Sequence, residues 1–371
     1  MKYAWCICML LFAVSCSQKK YHTEEVTNPD FRNNSVFVSY ENISSPKFDA
    51  LKEKYQLDTV FHGEQDEFKR ILLLRNWIRK VIRINDFTNN YPGDGYAEGI
   101  LDNAMKGYGY HCGHYMVVQN AVMNAYGYVT RCLGSGPGIK GGPDGHHGIN
   151  EIWLNKYQKW FLSDAKYNHH FEKNGIPLSA LEIRDEYLKN KAADVVLVKG
   201  ADRTPIDYDE VANASNVYIK KTKEDFAQWY TWLEWDISND RYTAWPGFSS
   251  KLIMYQDEYF KNHTWIWDGK PHWAYNTDHV KYVVDRQSIE WTPNTIHGDV
   301  KIKNNSANIS LTSATPNLRE YQMRKLPAGE WTNCDSLITL PLNSDKLELA
   351  FHAVNLANVQ GPEYKVVVTS N

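Results

Sequence analysis

Cysteine is scarce: there are six in 371 residues, and three of them fall within the first 16 positions. That spacing excludes a disulfide framework as the main support of the fold. An excess of one charge sign is also missing. The formal net charge is −3 and Lys and Arg are scattered, which argues against a nucleic-acid footprint, so no nucleic-acid partner is expected. Long apolar runs are absent as well; Tyr3 to Val14 is shorter than the roughly 20 residues a bilayer-spanning helix needs. There is no low-complexity segment and no internal repeat. Phenylalanine is outnumbered, with 13 Phe against 24 Tyr and 13 Trp. Aromatic rings that carry a polar group are favoured where one side is apolar and the other wet, as at binding surfaces.

What is present begins with the leader. "MKYAWCICMLLFAVSCSQKK" has Lys2, an apolar stretch, small residues and then a polar tail, the pattern of an export signal. Its end, "AVSC", resembles a bacterial lipobox, with Ala13 where leucine is usual. This implies cleavage after residue 15, lipidation of Cys16 and a soluble body anchored to a membrane of the bacterial cell envelope through acyl chains. Cys6 and Cys8 leave with the signal, so Cys112, Cys132 and Cys334 remain. Three is an odd count, and at least one thiol pairs with nothing.

Along the chain, residues 16–60 form a polar N-terminal extension with "SVFVSY" as a candidate strand. "DEFKRILLLRNWIRKVIRI" carries Phe68, Ile71, Leu72, Trp77, Ile78, Val81 and Ile82 near helical spacing, which predicts an amphipathic helix. "NDFTNNYPGDGY" breaks it. A second helix is predicted from about His111 to Tyr126, with Gly127 in the position of a glycine C-cap. "YVTRCLGS" reads as a strand, "GSGPGIKGGPDGHHG" as a loop, and "INEIWLN" and "KWFLSDAKY" as a hairpin turning around Lys156–Gln158. "PLSALEIRDEYLKN" reads as helix. Residues 201–290 are dense in aromatics, including Trp229, Trp232, Trp235, Trp245, Trp265, Trp267 and Trp273. From about 291 to 371, short strands parted by Asn, Pro, Gly and Asp predict an all-β sandwich.

Chemistry gathers around Cys112. A thiol acts as nucleophile only when ionised, and a helix start lowers its pKa through free N–H groups and the helix dipole. A histidine must take the proton and a third group must orient that histidine. His147 starts the first hairpin strand and Asp164 ends the second; adjacent antiparallel strands bring such positions close. Cys132, inside a strand, reads as an inert buried thiol. His111, His114 and His146 show no spacing that joins them as ligands, so no metal and no cofactor are expected. His169 and His170 read as loop surface or pocket rim.

These pieces together resemble the transglutaminase-like, papain-related cysteine fold over roughly residues 61–200. In that pattern a cysteine opening a helix is followed three places on by an aromatic, here Tyr115. A "G-(Y/I)-x-x-R" strand follows, here Gly127 to Arg131. The catalytic histidine has an acidic residue four places later, here His147 with Glu151. The aspartate ends a "W-x-x-x-D" strand, here Trp160 to Asp164. Ile149 and Ala165 depart from it, standing where the family often has Trp and Pro. The resemblance implies an α+β core in which a helix carrying Cys112 packs on an antiparallel sheet carrying His147 and Asp164. The tail resembles a fibronectin type III or immunoglobulin-like domain.

The expected activity is a cysteine hydrolase that cleaves an amide bond in a peptide, peptidoglycan stem or glycopeptide through Cys112, His147 and Asp164. The Cys112 backbone N–H supplies one oxyanion donor; Tyr108 and Tyr110 are candidates for the second and for substrate contact. Trp245, Trp265, Trp267 and Trp273 are candidates for substrate binding, since sugar faces pack on aromatic planes. The rival expectation is a non-catalytic glycan-binding lipoprotein built on the same scaffold.

Overall fold

The computed structural model describes residues 19–27, 29–86, 90–93, 95–137, 146–208, 222–244, 251–258, 266–267, 270–271 and 280–370. The leader with Cys16, and Trp245, Trp265 and Trp273, lie outside the described residues. The chain is a mixed α+β fold with a β-rich C-terminal region.

Its centre is a six-stranded sheet in the order Val280–Val283, Leu252–Tyr255, Trp232–Asp236, Thr130–Gly136, His147–Leu154 and Lys159–Ser163. The hairpin forms as the sequence predicts, with Asn150 opposite Ser163 and Leu154 opposite Lys159. Side chains alternate across it with period two. Ile152, Leu154 and Phe161 face the helices, whereas Trp153, Trp160 and Leu162 join Leu133, Ile149 and Trp235 on the other face. Three strands from residues 201–290 belong to this same sheet, because Trp232–Asp236 pairs antiparallel with Thr130–Gly136. The sheet therefore runs across the boundary expected near residue 200. Trp232 and Trp235 are buried on its third strand, and Trp229 is buried at the end of the short helix Lys223–Gln228 that precedes that strand. Trp267 lies in a two-residue strand, Ile266–Trp267, paired with Lys270–Pro271.

The helical layer follows from local signals. The predicted amphipathic helix is Glu67–Val81, and Asp66 caps it by accepting from the Lys69 N–H at 3.0 Å. Phe68, Ile71, Leu72, Leu74 and Ile78 are buried, each contributing about 1.5–3 kcal/mol of apolar burial. Ala97–Met105 packs beside it. The cysteine helix is Cys112–Asn124. It stops as Gly127 adopts φ +74°, with Gly127 N–H on the Asn124 carbonyl at 2.9 Å and Tyr128 N–H on the Met123 carbonyl at 3.2 Å. Those two bonds make a Schellman motif, which favours glycine at that position. Ala180–Asn190 starts with a capping box between Ser179 and Glu182.

The C-terminal strands form two sheets around one apolar core. Ile296–Lys303, Ser306–Ser313 and Leu337–Pro341 make one; Leu318–Lys325, Thr332–Cys334, Lys346–Asn355 and Tyr364–Ser370 lie in the other. Ile296, Ile309, Phe351, Tyr364 and Val366 fill the space between them. The N-terminal extension does not stay apart. Its strand Tyr21–Thr27 pairs antiparallel with Tyr364–Ser370, and its helix Pro46–Lys54 buries Phe48 and Leu51 against the helical layer. Of "SVFVSY" only Ser39–Tyr40 is strand, paired in parallel with Ser238–Asn239. The β-rich region docks where the cysteine helix ends. Asn355 Nδ2 donates to the Gly127 carbonyl at 2.9 Å, and a Cβ on Gly127 would meet that of Ala357 at 2.4 Å.

Candidate active site

Cys112 is the first residue of its helix, and His111 is the N-cap. The helix start lies against the start of the histidine strand because both carry glycine there. A Cβ on Gly148 would stand 3.3 Å from the Gly113 Cα. The Cys112 Sγ is half-buried, 4.0 Å from the His146 carbonyl oxygen. Continuing the hairpin register places Asp164 opposite Ile149, one pleat from His147 on the same face. His147 and Asp164 are both buried, with Nε2 of the imidazole 2.6 Å from Oδ2 of the carboxylate. Nδ1 of His147 is then the nitrogen left for sulfur.

Electrostatics favour the thiolate. Burial alone would push Cys112 up. Hydrogen bonding from His111 and then His147, together with the charges of His147 and Lys166, reverses that and holds the thiol well below its ordinary value. Lys166 is 4% exposed and pairs with Asp86 through contacts of 2.9 and 2.8 Å; a buried cation whose charge acts on the thiol is missing from the sequence reading. Cys132 differs: it is fully buried, and burial pushes its thiol up. Cys334 is also pushed up by burial, to about 11. None of the three thiols is in a disulfide.

Behind His147 and Asp164 stands a polar network that sequence reasoning missed. Asp164 Oδ2 also accepts from the Tyr230 hydroxyl at 2.8 Å, and Oδ1 accepts from the Tyr167 N–H at 3.1 Å. Since Tyr230 donates to Asp164, its oxygen accepts from Nε2 of His169 at 2.9 Å, leaving Nδ1 of His169 to accept from Tyr208 at 2.5 Å. His169 and His170 are thus not surface or rim; both are fully buried. They begin the strand His169–Lys173, and Asp164 bridges to His169 across the turn. His170 lies between Glu172, 2.7 Å from its Nε2, and the buried Arg75, 3.1 Å from its Nδ1. Arg75 also donates to the Asn168 side chain and the His169 carbonyl, bracing the turn that carries Asp164. Burial lowers Arg75 to about 10, so it stays charged near neutrality.

The strand motif has a structural role. Arg131 and Glu151 face each other across paired strands, and both are 1% exposed. Arg131 Nε and NH2 lie 2.9 and 2.6 Å from Glu151 Oε2. Trp235 Nε1 donates to that oxygen as well, and the Ala180 N–H donates to Oε1. Tyr110 is not available to substrate: it is fully buried and its hydroxyl donates to the Pro92 carbonyl at 2.7 Å. Tyr108 is 51% exposed.

Tyr230→Phe is expected to cost about 1–3 kcal/mol, because it removes the hydroxyl that links two buried polar groups. A lowered urea midpoint, with a several-fold slower alkylation of Cys112 as Asp164 loses its fixed orientation, is the expected result.

No family model matches the chain, and no curated protein matches it significantly.

Proposed function

We propose that the chain is an exported, lipid-anchored cysteine hydrolase of transglutaminase-like type. Its substrate is an amide bond in a peptide, peptidoglycan stem or glycopeptide of the bacterial cell envelope. The observation that carries the reading is the convergence of a helix-initial thiol, a buried imidazole and a buried carboxylate from three separate segments.

The chemistry follows from the positions. The Cys112 thiolate attacks the amide carbonyl carbon; the C–S bond forms and the carbonyl π pair moves to oxygen, to which the Cys112 N–H donates a hydrogen bond. His147, protonated on Nδ1, gives that proton to the leaving nitrogen as the C–N bond breaks. Asp164 holds Nε2–H and stabilises the cationic ring. Water then attacks the thioester while His147 takes its proton, the C–S bond breaks and the carboxylic acid leaves. An amine in place of water would give acyl transfer.

The test is incubation with envelope muropeptides and glycopeptides, read by mass spectrometry and by new primary amines. Wild-type protein should release amine, and Cys112→Ala should release none. Equal product patterns from the two proteins would overturn the reading.

A further inference from the structure

The proposed mechanism provides one oxyanion donor and needs a second. Gly113 cannot serve, because its N–H donates to Nδ1 of His111 at 3.1 Å. Tyr110 is spent on Pro92. His111 itself is placed differently from either. As N-cap, its ring lies over the helix start, where the Cys112 N–H points outward with no intrahelical carbonyl to reach. The ring stays close to the first turn, since a Cβ on Gly113 would stand 3.0 Å from its Cε1. Two neighbours pin it. Tyr91 meets it edge-on with centroids 4.8 Å apart, and His114 lies at 4.2 Å. Burial lowers His114 to about 3, so it stays neutral. The accepted bond at Nδ1 also fixes the tautomer: neutral His111 carries its proton on Nε2, as a donor.

Resting on the hydrolase reading, we propose that His111 is the second oxyanion donor, its Nε2–H acting beside the Cys112 N–H on the carbonyl oxygen of the substrate. No proton is transferred in this role. The negative charge moves from sulfur to the carbonyl oxygen as the C–S bond forms, and that is the charge the donor meets. The device needs a histidine directly before the nucleophile, because only the N-cap side chain can both close the helix and face the incoming carbonyl.

The probe is p-nitrophenyl acetate, an activated ester that acylates a competent cysteine with release of one equivalent of p-nitrophenolate. His111→Ala removes cap and donor. His111→Asn retains a good N-cap acceptor for Gly113 but is too short to donate where Nε2 does, so its fold should be preserved, checked by circular dichroism. Both variants should acylate about 10²-fold more slowly than wild type, measured at a pH where iodoacetamide titration finds Cys112 fully ionised in each protein. An unchanged acylation rate for His111→Asn under that condition overturns the assignment alone, and His111 then only tunes the thiol. Absence of a p-nitrophenolate burst from wild type overturns the hydrolase reading and this assignment with it.

Discussion

Asp164→Asn should slow the acylation of Cys112 by p-nitrophenyl acetate about 10⁴-fold, the scale lost when a triad carboxylate becomes an amide. The hydrogen bonds say why. Oδ2 takes two donors, Nε2–H of His147 and the Tyr230 hydroxyl, while Oδ1 takes the Tyr167 N–H. An amide has one oxygen to serve both sides. If the oxygen stays toward His147, the NH2 opposes the Tyr167 N–H. If it turns, the NH2 faces His147, whose Nε2 must become an acceptor, and the proton moves to Nδ1 of a neutral ring that no longer draws the proton from sulfur. Either way the charge that balances a cationic imidazole is gone. Stopped-flow release of p-nitrophenolate measures the loss; a rate within tenfold of wild type would remove Asp164 from the machinery.

The second large effect concerns stability. Arg131→Met should cost about 3–5 kcal/mol, because it leaves the Glu151 carboxylate buried without its cation. For a chain of this size that is a fall of about 4–6 °C in Tm. Arg131 also packs its guanidinium over the Trp160 ring, 4.0 Å from the centroid, and donates to the Ile289 carbonyl. One residue therefore ties the strand carrying Cys132 to the histidine strand and to the segment before the β-rich region. Glu151 keeps Trp235 and Ala180 as donors, so Arg131→Met/Glu151→Gln should be less destabilised than Arg131→Met alone. Differential scanning calorimetry of the three proteins checks this. A double variant as unstable as the single one would place the cost in lost packing rather than in the uncompensated charge.

Much of the site could be read along the chain because its signals are local. Gly127 ends the cysteine helix through a backbone conformation that few other residues adopt. The hairpin is written in alternating residues around Lys156–Gln158, and its register alone brings Asp164 near His147. What could not be read depends on partners far apart in sequence. Tyr230 lies 66 residues from Asp164, and nothing in "QWYTWLEW" distinguishes it from its aromatic neighbours. His169 and His170 look like surface because they are polar and adjacent. They are buried because Tyr208, Tyr230 and Arg75 satisfy them from other segments, with Glu172 completing His170 from its own strand. Arg75 likewise sits in an amphipathic helix where a cation reads as solvent-facing. The joining of residues 201–290 to the sheet, and of Tyr21–Thr27 to the last strand, is set by edge pairing between segments that carry no mark of each other.

The central claim is that Cys112 and His147 share a proton so as to leave a thiolate near neutral pH. The rate of iodoacetamide alkylation of Cys112 against pH tests it most directly. The other described thiols do not intrude, since burial pushes both Cys132 and Cys334 up. A lowered thiol is ionised above its pKa, so reactivity should already be at its plateau well below the ordinary thiol value of about 8.5 and should fall only as pH drops through the lowered one. His147→Ala should move that rise back toward the ordinary range. A wild-type profile that rises only through the ordinary thiol range, and coincides with that of His147→Ala, would contradict the account.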